Sequence, residues 1–333
     1  MSGCRALVAP DSFKGTFSAP EVADAVARGL QRGGVTADRC PVADGGEGTM
    51  EVMLAALGGR TVTVPSRDPL GRPIDAAFAL LHDGESALVE TAAASGLGLL
   101  AEHERDPWAA GTWGTGRLIR AAVEAGAREI LVAVGGSATV DGGRGALDAI
   151  AQGGGLEHAR ITVLCDVETP WERCAEIYGP QKGADAEMVQ RLAARLDAVA
   201  SGLARDPRGV AMTGAAGGLA GALWAALDAR LVGGAEHVLD AIGFDRRLRG
   251  AAAAVVGEGR IDEQSAMGKI VGAIARRAAA AGVPVYAIVG RNALDPVAAA
   301  AIGMRSIVEA TTLASLESAG ERLAMALRAE PRP

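Results

Sequence analysis

The basic residues of this chain are almost all arginine. Of 33 Lys and Arg, only Lys14, Lys182 and Lys269 are lysine, and each stands beside a glycine: Lys14-Gly15, Lys182-Gly183 and Gly268-Lys269. A compact ammonium next to a backbone without a side chain suits contact with a phosphate. Any one of them is explained as an exposed turn lysine; the three together point to function. Around them the chain repeats one loop design, in which glycines accompany one or two carboxylates. It occurs at Asp11-Ser12-Phe13-Lys14-Gly15, at Asp44-Gly45-Gly46-Glu47-Gly48, and at Gly135-Gly136-Ser137 with Asp141-Gly142-Gly143. It recurs around Gly179-Pro180-Gln181-Lys182-Gly183 and at Gly257-Glu258-Gly259-Arg260-Ile261-Asp262. Glycine lets backbone N–H groups approach a ligand, and N–H groups at a helix start attract anions. Carboxylates there repel an anion unless a metal lies between or one serves as a base. Mg²⁺ is the metal that takes one or two carboxylates plus substrate phosphates. The combination fits Mg²⁺-dependent phosphoryl transfer.

These loops need strands and helices to hold them. Residues 5–10 read as a buried strand running into the Asp11 loop, and Ser18-Ala19-Pro20-Glu21 is a capping box that starts a helix. That places Asp11–Lys14 at a strand's C-terminal end, where open α/β sheets bind ligands. Residues 38–42, the Asp44 loop and a helix over 50–57 repeat the plan. Segments 61–64, 74–81 and 87–90 then read as strands without helices between them, an antiparallel piece, with a domain boundary near residue 60. Further strands are expected at 129–134, 160–165, 251–256, 283–289 and 306–308. Helices are expected at 115–126, 146–151 and 314–327, with a long amphipathic one after Lys182. Gly214-Ala215-Ala216-Gly217-Gly218 opens another.

Composition narrows the classes. Hydrophobic residues make up 49% and charged residues 22%, which excludes a disordered chain. The net charge of −7 makes a poor nucleic-acid binder, and 3% aromatics leave no stacking platform. Cys4, Cys40, Cys165 and Cys174 form no CxxC, and the four histidines have no zinc-like spacing. No apolar run approaches the ~18 residues of a membrane span, and nothing reads as a signal peptide. A cytoplasmic, reducing compartment is expected. The P-loop, the dinucleotide fingerprint and the nucleophile elbow are all missing.

Taken in order, the loop motifs resemble the bacterial type 1 glycerate kinase family. They are Ala9-Pro10-Asp11-Ser12-Phe13-Lys14-Gly15, Pro41-Val42-Ala43-Asp44-Gly45-Gly46-Glu47-Gly48-Thr49, Gly135-Gly136-Ser137-Ala138-Thr139, Asp141-Gly142-Gly143, Gly179-Pro180-Gln181-Lys182-Gly183-Ala184 and Gly257-Glu258-Gly259-Arg260-Ile261-Asp262, followed by Gln264, Ser265, Gly268 and Lys269. The likeness covers about residues 5 to 310. It implies ATP-dependent phosphorylation of D-glycerate, the 2-hydroxyl being the favoured acceptor. It also implies an α/β fold of two domains: a discontinuous Rossmann-like parallel-sheet domain (1–60 and 240–333) with a mixed α/β domain (61–239) inserted. The active site is expected in a cleft between them, and a homodimer stays open. Three departures stand out. Val140 replaces an Asn, Thr169 replaces another, and the stretch around 150–160 is shorter than the family's. They leave room for a kinase of another small hydroxy acid, or for an inactive binding relative.

Roles can be set against plainer readings. Lys14 and Lys182 are candidates for phosphate contact and for stabilising transition-state charge. Asp44 and Glu47 can share a Mg²⁺, or one can be the base; Glu47 can equally favour the dipole of the next helix. Asp141 has the same two readings, and Ser137 binds phosphate or caps a turn. Arg260 grips the substrate carboxylate or belongs to a loop network with Glu258 and Asp262. Lys269 contacts phosphate or pairs with Glu258 or Asp262. Asp166 is a metal ligand or a turn former. Asp11, Ser12, Gly45, Gly46, Gly142, Gly179, Gln181 and Gly217 complete the binding candidates.

Overall fold

A computed structural model describes residues 4–262 and 269–329. Gln264, Ser265 and Gly268 of the last motif lie outside the described residues. The strands in chain order are β1 (Arg5–Pro10), β2 (Thr36–Arg39), β3 (Gly59–Arg67), β4 (Pro73–Leu81), β5 (Ser86–Glu90), β6 (Glu129–Ala133) and β7 (Arg160–Cys165). They continue as β8 (Arg230–Gly233), β9 (Ala253–Gly257), β10 (Arg260–Ile261), β11 (Val285–Val289), β12 (Arg291–Asn292) and β13 (Met304–Glu309). The chain is α/β and divides into two compact units, one up to Asp44 and from Ala235 on, the other Gly45–Gly234.

The first unit is built on a parallel five-stranded sheet in the order β13-β11-β9-β1-β2. From β1 the chain goes to one side for β2, then returns through β9 and builds outward on the other. The β1–β9 pair, in register from Ala6 opposite Ala253 to Pro10 opposite Gly257, is therefore where the winding reverses. In such sheets ligands bind beyond the strand ends at that point. The helix Ala19–Arg32 starts at the capping box: Ser18 N–H donates to Glu21 Oε2 at 2.8 Å, and Ser18 Oγ accepts from Glu21 N–H. Its apolar face covers the sheet through Val22, Val26 and Leu30. Its back packs on the helix Leu313–Ala329. There Gly29 and Gly320 let the backbones touch; a Cβ on Gly29 would lie 1.9 Å from Glu317 O.

The second unit carries a six-stranded sheet, β3-β4-β5-β6-β7-β8. β3, β4 and β5 pair antiparallel, as the helix-free spacing of residues 61–90 predicts; β5 to β8 run parallel. Its core joins Phe78, Val89, Leu118, Ile130, Val163 and Leu219. A smaller cluster gathers Val140, Trp171, Leu192 and Leu196. The helix Thr49–Leu57 packs on β4 and β5, so the chain crosses between units at 44/45 rather than near residue 60.

The shortened stretch after the helix Arg144–Gln152 enters β7 at its N-terminal end, opposite the end from which the Gly135 and Asp166 loops leave β6 and β7. Arg120 fastens it through a hydrogen bond to Gly155 O. Among the described residues no helix is long and apolar enough to cross a membrane.

Candidate active site

In the first unit the reversal point holds a cavity of about 520 Å³. Asp11, Ser12 and Lys14 leave β1 into it, Asp44 comes from beyond β2, and Glu258 follows β9. Arg260, Asp262 and Lys269 line it as well. Backbone bonds tie the strand exits: Asp11 N–H donates to Gly257 O at 2.8 Å, and Val42 N–H to Pro10 O at 3.0 Å. Asp11 is buried, and its Oδ1 accepts from Ser12 N–H at 2.6 Å. Burial first, then the Asp44 carboxylate, push Asp11 well above the usual carboxylate range; Lys14 works against this. Two buried acids lining one cavity form a donor set that a divalent cation would relieve. Arg260 stands 3.8 Å from Asp262, so the loop ion pair is made. Lys269 occupies the cap position of the helix Ile270–Ala280.

In the second unit the ends of β6 and β7 build a different arrangement. Lys182 is buried, and its Nζ donates to Ser137 Oγ at 3.0 Å and to Thr139 O at 2.7 Å. Loss of water around the ammonium pushes Lys182 down to about 8; Cys174, Asp141 and Asp166 oppose the shift. Asp166, half-buried after β7, thus contributes to the field on the lysine. Gly179, the cap of a short helix, is buried, whereas Gln181 is exposed. Asp141 is also buried, but its oxygens are occupied. Oδ1 accepts from Gly143 N–H at 2.9 Å; Oδ2 accepts from Thr112 N–H, Thr112 Oγ1 and Gly145 N–H at 2.9, 2.8 and 3.1 Å. A carboxylate with this many donors holds turns together. Gly142 and Gly217 have left-handed φ of +64° and +65°, and Gly142 N–H donates to Gly217 O. A Cβ on Gly217 would lie 1.9 Å from Thr139 O. Gly45 and Gly46 likewise allow close approach, to Gly234 and Gly135. Glu47 is exposed near Gly136.

Several residues at this site carry no motif. Glu90 ends β5, is buried, and accepts from Met50 N–H at 2.7 Å, which anchors the first turn behind the Gly45–Gly46 loop. Thr112 clamps Asp141. Both follow from tertiary contacts; a lone Glu at the end of an apolar strand was the available signal for the first.

The chain matches the glycerate kinase family over residues 6–153 and 151–330. It is 37% identical to a glycerate kinase of Bacillus subtilis (strain 168), over 87% of this chain and 85% of that one. Glycerate 2-kinase of Escherichia coli (strain K12) is also 37% identical, over 85% and 84%. A crystal structure from Salmonella typhimurium LT2, provisionally named glycerate kinase 2, superposes with a TM-score of 0.82 at 35% identity, covering 98% of this chain and 99% of that one. The chain belongs to the glycerate kinase family.

As a member of that family it is a kinase, and ATP is the phosphoryl donor such an enzyme implies. The family resemblance also gives the sequence departures a setting. Val140 is fully buried against Trp171 and Leu196, where an amide would need partners. Thr169 Oγ1 lies 2.7 Å from Tyr178 Oη, a hydroxyl pair that braces the segment leading to Lys182. Cys40, Cys165 and Cys174 are buried and pushed up to about 11 or 12, so thiolate chemistry has no place in this kinase.

Proposed function

We propose that the enzyme phosphorylates D-glycerate, with ATP and Mg²⁺, at the 2-hydroxyl. The observation that carries the reading is Lys182: a buried ammonium at the end of parallel strands, with two of its three protons engaged by Ser137 and Thr139. Burying a charge is costly, and such a group persists where it meets an anion. Family membership supports glycerate as the acceptor, and the name of the Escherichia coli relative supports the 2-position.

In the transfer, the glycerate hydroxyl oxygen forms a bond to the γ-phosphorus of ATP as the bond to the β-γ bridging oxygen breaks; ADP leaves, and the hydroxyl proton passes to solvent. The transition state is loose, so neutralising the charge on the phosphoryl oxygens matters more than a strong base. Lys182 supplies a fixed ammonium in a dry setting, where it acts strongly. Lys14 and Lys269 give the first unit's cavity its contacts for the phosphates of ATP. Among the described residues no group of three acids, His or Cys could hold a metal alone. The donor chemistry suits an ion bound through Asp11 and Asp44 with phosphate oxygens completing its shell. When bound, Mg²⁺ would supply charge neutralisation at the phosphates. Glu47 and Asp166, the other carboxylates at loop ends, bias the local field. The attachment of residues 153–159 at the far strand ends supports an active enzyme over a binding relative.

The test is incubation with ATP, Mg²⁺ and D-glycerate, followed by phosphorus NMR. Glycerate-dependent ADP with a 2-phosphoglycerate signal is expected. ADP release with 3-phosphoglycerate would overturn the regiochemistry, and no turnover would overturn the substrate.

A further inference from the structure

One segment of the second unit touches each of its site loops. Residues 95–97 are stitched to the Ser137 loop: Leu97 N–H donates to Gly136 O at 2.9 Å, and Ala138 N–H to Ser95 O at 2.8 Å. The same segment ends at Thr112, on Asp141. Midway it passes Lys182-Gly183. Gly183 has φ +100°, and a Cβ there would lie 2.7 Å from Arg105 O and 3.2 Å from Arg105 Cβ. Arg105 is thus held against the residue that follows Lys182.

Its side chain combines two features, an absence of polar partners and a buried Nε. Among the described residues it makes no ion pair and no hydrogen bond, and its Nε is buried without a partner. The acids beside it are engaged elsewhere. Glu104 pairs with Arg72 and accepts from Ala101 N–H; Asp106 accepts from Trp108 N–H and Ala109 N–H. Two buried threonine hydroxyls of the same strand ends, Thr91 Oγ1 and Thr139 Oγ1, also lack partners. Unmet buried donors are rare and costly, so three around one loop system call for an explanation. For the guanidinium a small acid supplies one: its carboxylate takes a guanidinium fork.

We propose that Arg105 holds the carboxylate of the acid substrate and so sets the preference for an acid over a neutral polyol. This rests on the reading of the protein as a glycerate kinase. It replaces Arg260, which is paired with Asp262, in the role of carboxylate grip.

The experiment compares wild type with Arg105→Met and Arg105→Lys, measuring KM for D-glycerate and for ATP, and turnover of glycerol, which lacks the carboxylate. Removing a charge-assisted hydrogen bond should raise KM for D-glycerate roughly 10- to 100-fold in Arg105→Met. KM for ATP and the thermal shift with ATP–Mg²⁺ should match wild type, and the preference for D-glycerate over glycerol should shrink by the same factor. Arg105→Lys should recover part of the loss. A rise in KM for ATP instead, or an unchanged preference over glycerol, overturns the assignment. Should Arg105→Met fail to fold, Arg105→Gln and Arg105→Lys carry the same comparison. A wild type that never turns over D-glycerate brings down the functional reading and this inference together. A wild type that does so, beside an Arg105→Met enzyme of unchanged KM, brings down the inference alone.

Discussion

Lys182 Nζ donates to Ser137 Oγ at 3.0 Å, joining two loops 45 residues apart in the chain. The lysine is buried, and the loss of its water pushes it down to about 8 from 10.5. A group that gives up its proton more readily when folded costs stability wherever it stays charged. The cost is present below about pH 8 and fades as pH rises toward 10.5, because there the unfolded chain binds more protons. From that shift it comes to roughly 3 kcal/mol. Lys182→Met should lower kcat on the order of 10³-fold by taking a fixed charge from the phosphoryl group. At pH 7 it should also melt a few degrees higher than wild type. The gap should close between pH 8 and 10.5 in paired denaturation curves. A variant less stable at pH 7 would contradict the account.

Asp141 is expected to fail as a general base because its oxygens already serve four donors. In Asp141→Asn one oxygen becomes an NH₂ group that faces N–H donors. Leaving such donors buried and unmet should cost about 2–4 kcal/mol. Urea denaturation would show the loss, and activity below the transition should persist. A stable variant with no activity would instead mark Asp141 as chemical.

Much of this arrangement can be read in the chain. The lysines beside glycines, the carboxylates in Gly-rich loops and the Ser18–Glu21 capping box depend on neighbours a few residues apart, and their positions follow from them. The segment from Gly96 to Thr112 does not. It works through backbone contacts to Gly136, Gly183 and Asp141, and its residues form no motif. Strand β8 and the helix Gly234–Ala241 are also illegible, because a four-residue strand with no buried position and a short helix give little periodicity. The crossing at 44/45 depends on Thr49–Leu57 choosing β4 and β5 as its support. Arg260 shows the limit within the site: its chemistry suits both a carboxylate grip and a loop ion pair, and its sequence neighbours do not separate the two; the structure sets it 3.8 Å from Asp262.

The pair Asp11 and Asp44 leads to a metal-dependent expectation. Burial first, then the Asp44 carboxylate, oppose a charge on Asp11, so Asp11→Asn should raise the melting temperature of the ligand-free enzyme. It should also reduce the stabilisation given by ATP–Mg²⁺ over ATP alone, measured by thermal shift. An undiminished Mg²⁺ increment would remove Asp11 from the ion's donors.

Glu90 makes a separate prediction, about the loop rather than the phosphoryl group. Burial first pushes it up to about 7 from 4.5; Glu47 and Glu51 add to this, and the N–H groups of Met50 and Gly48 oppose it. A carboxyl that keeps its proton longer when folded contributes stability below pH 4.5, and that contribution is lost as pH rises through about 7. Glu90→Gln keeps an acceptor for Met50 N–H without the charge. It should gain on wild type between pH 4.5 and 7, by up to about 3 kcal/mol. Glu90→Ala removes the acceptor as well and should be about 1–2 kcal/mol less stable than Glu90→Gln, as other helix starts are without their caps. Because the freed turn follows Gly45 and Gly46, the Ala variant should also show faster amide exchange at residues 46–50. Both variants need only urea curves across pH and hydrogen exchange at one pH. If Gln and Ala behave alike at pH 7, Glu90 acts by charge alone and not by holding the turn.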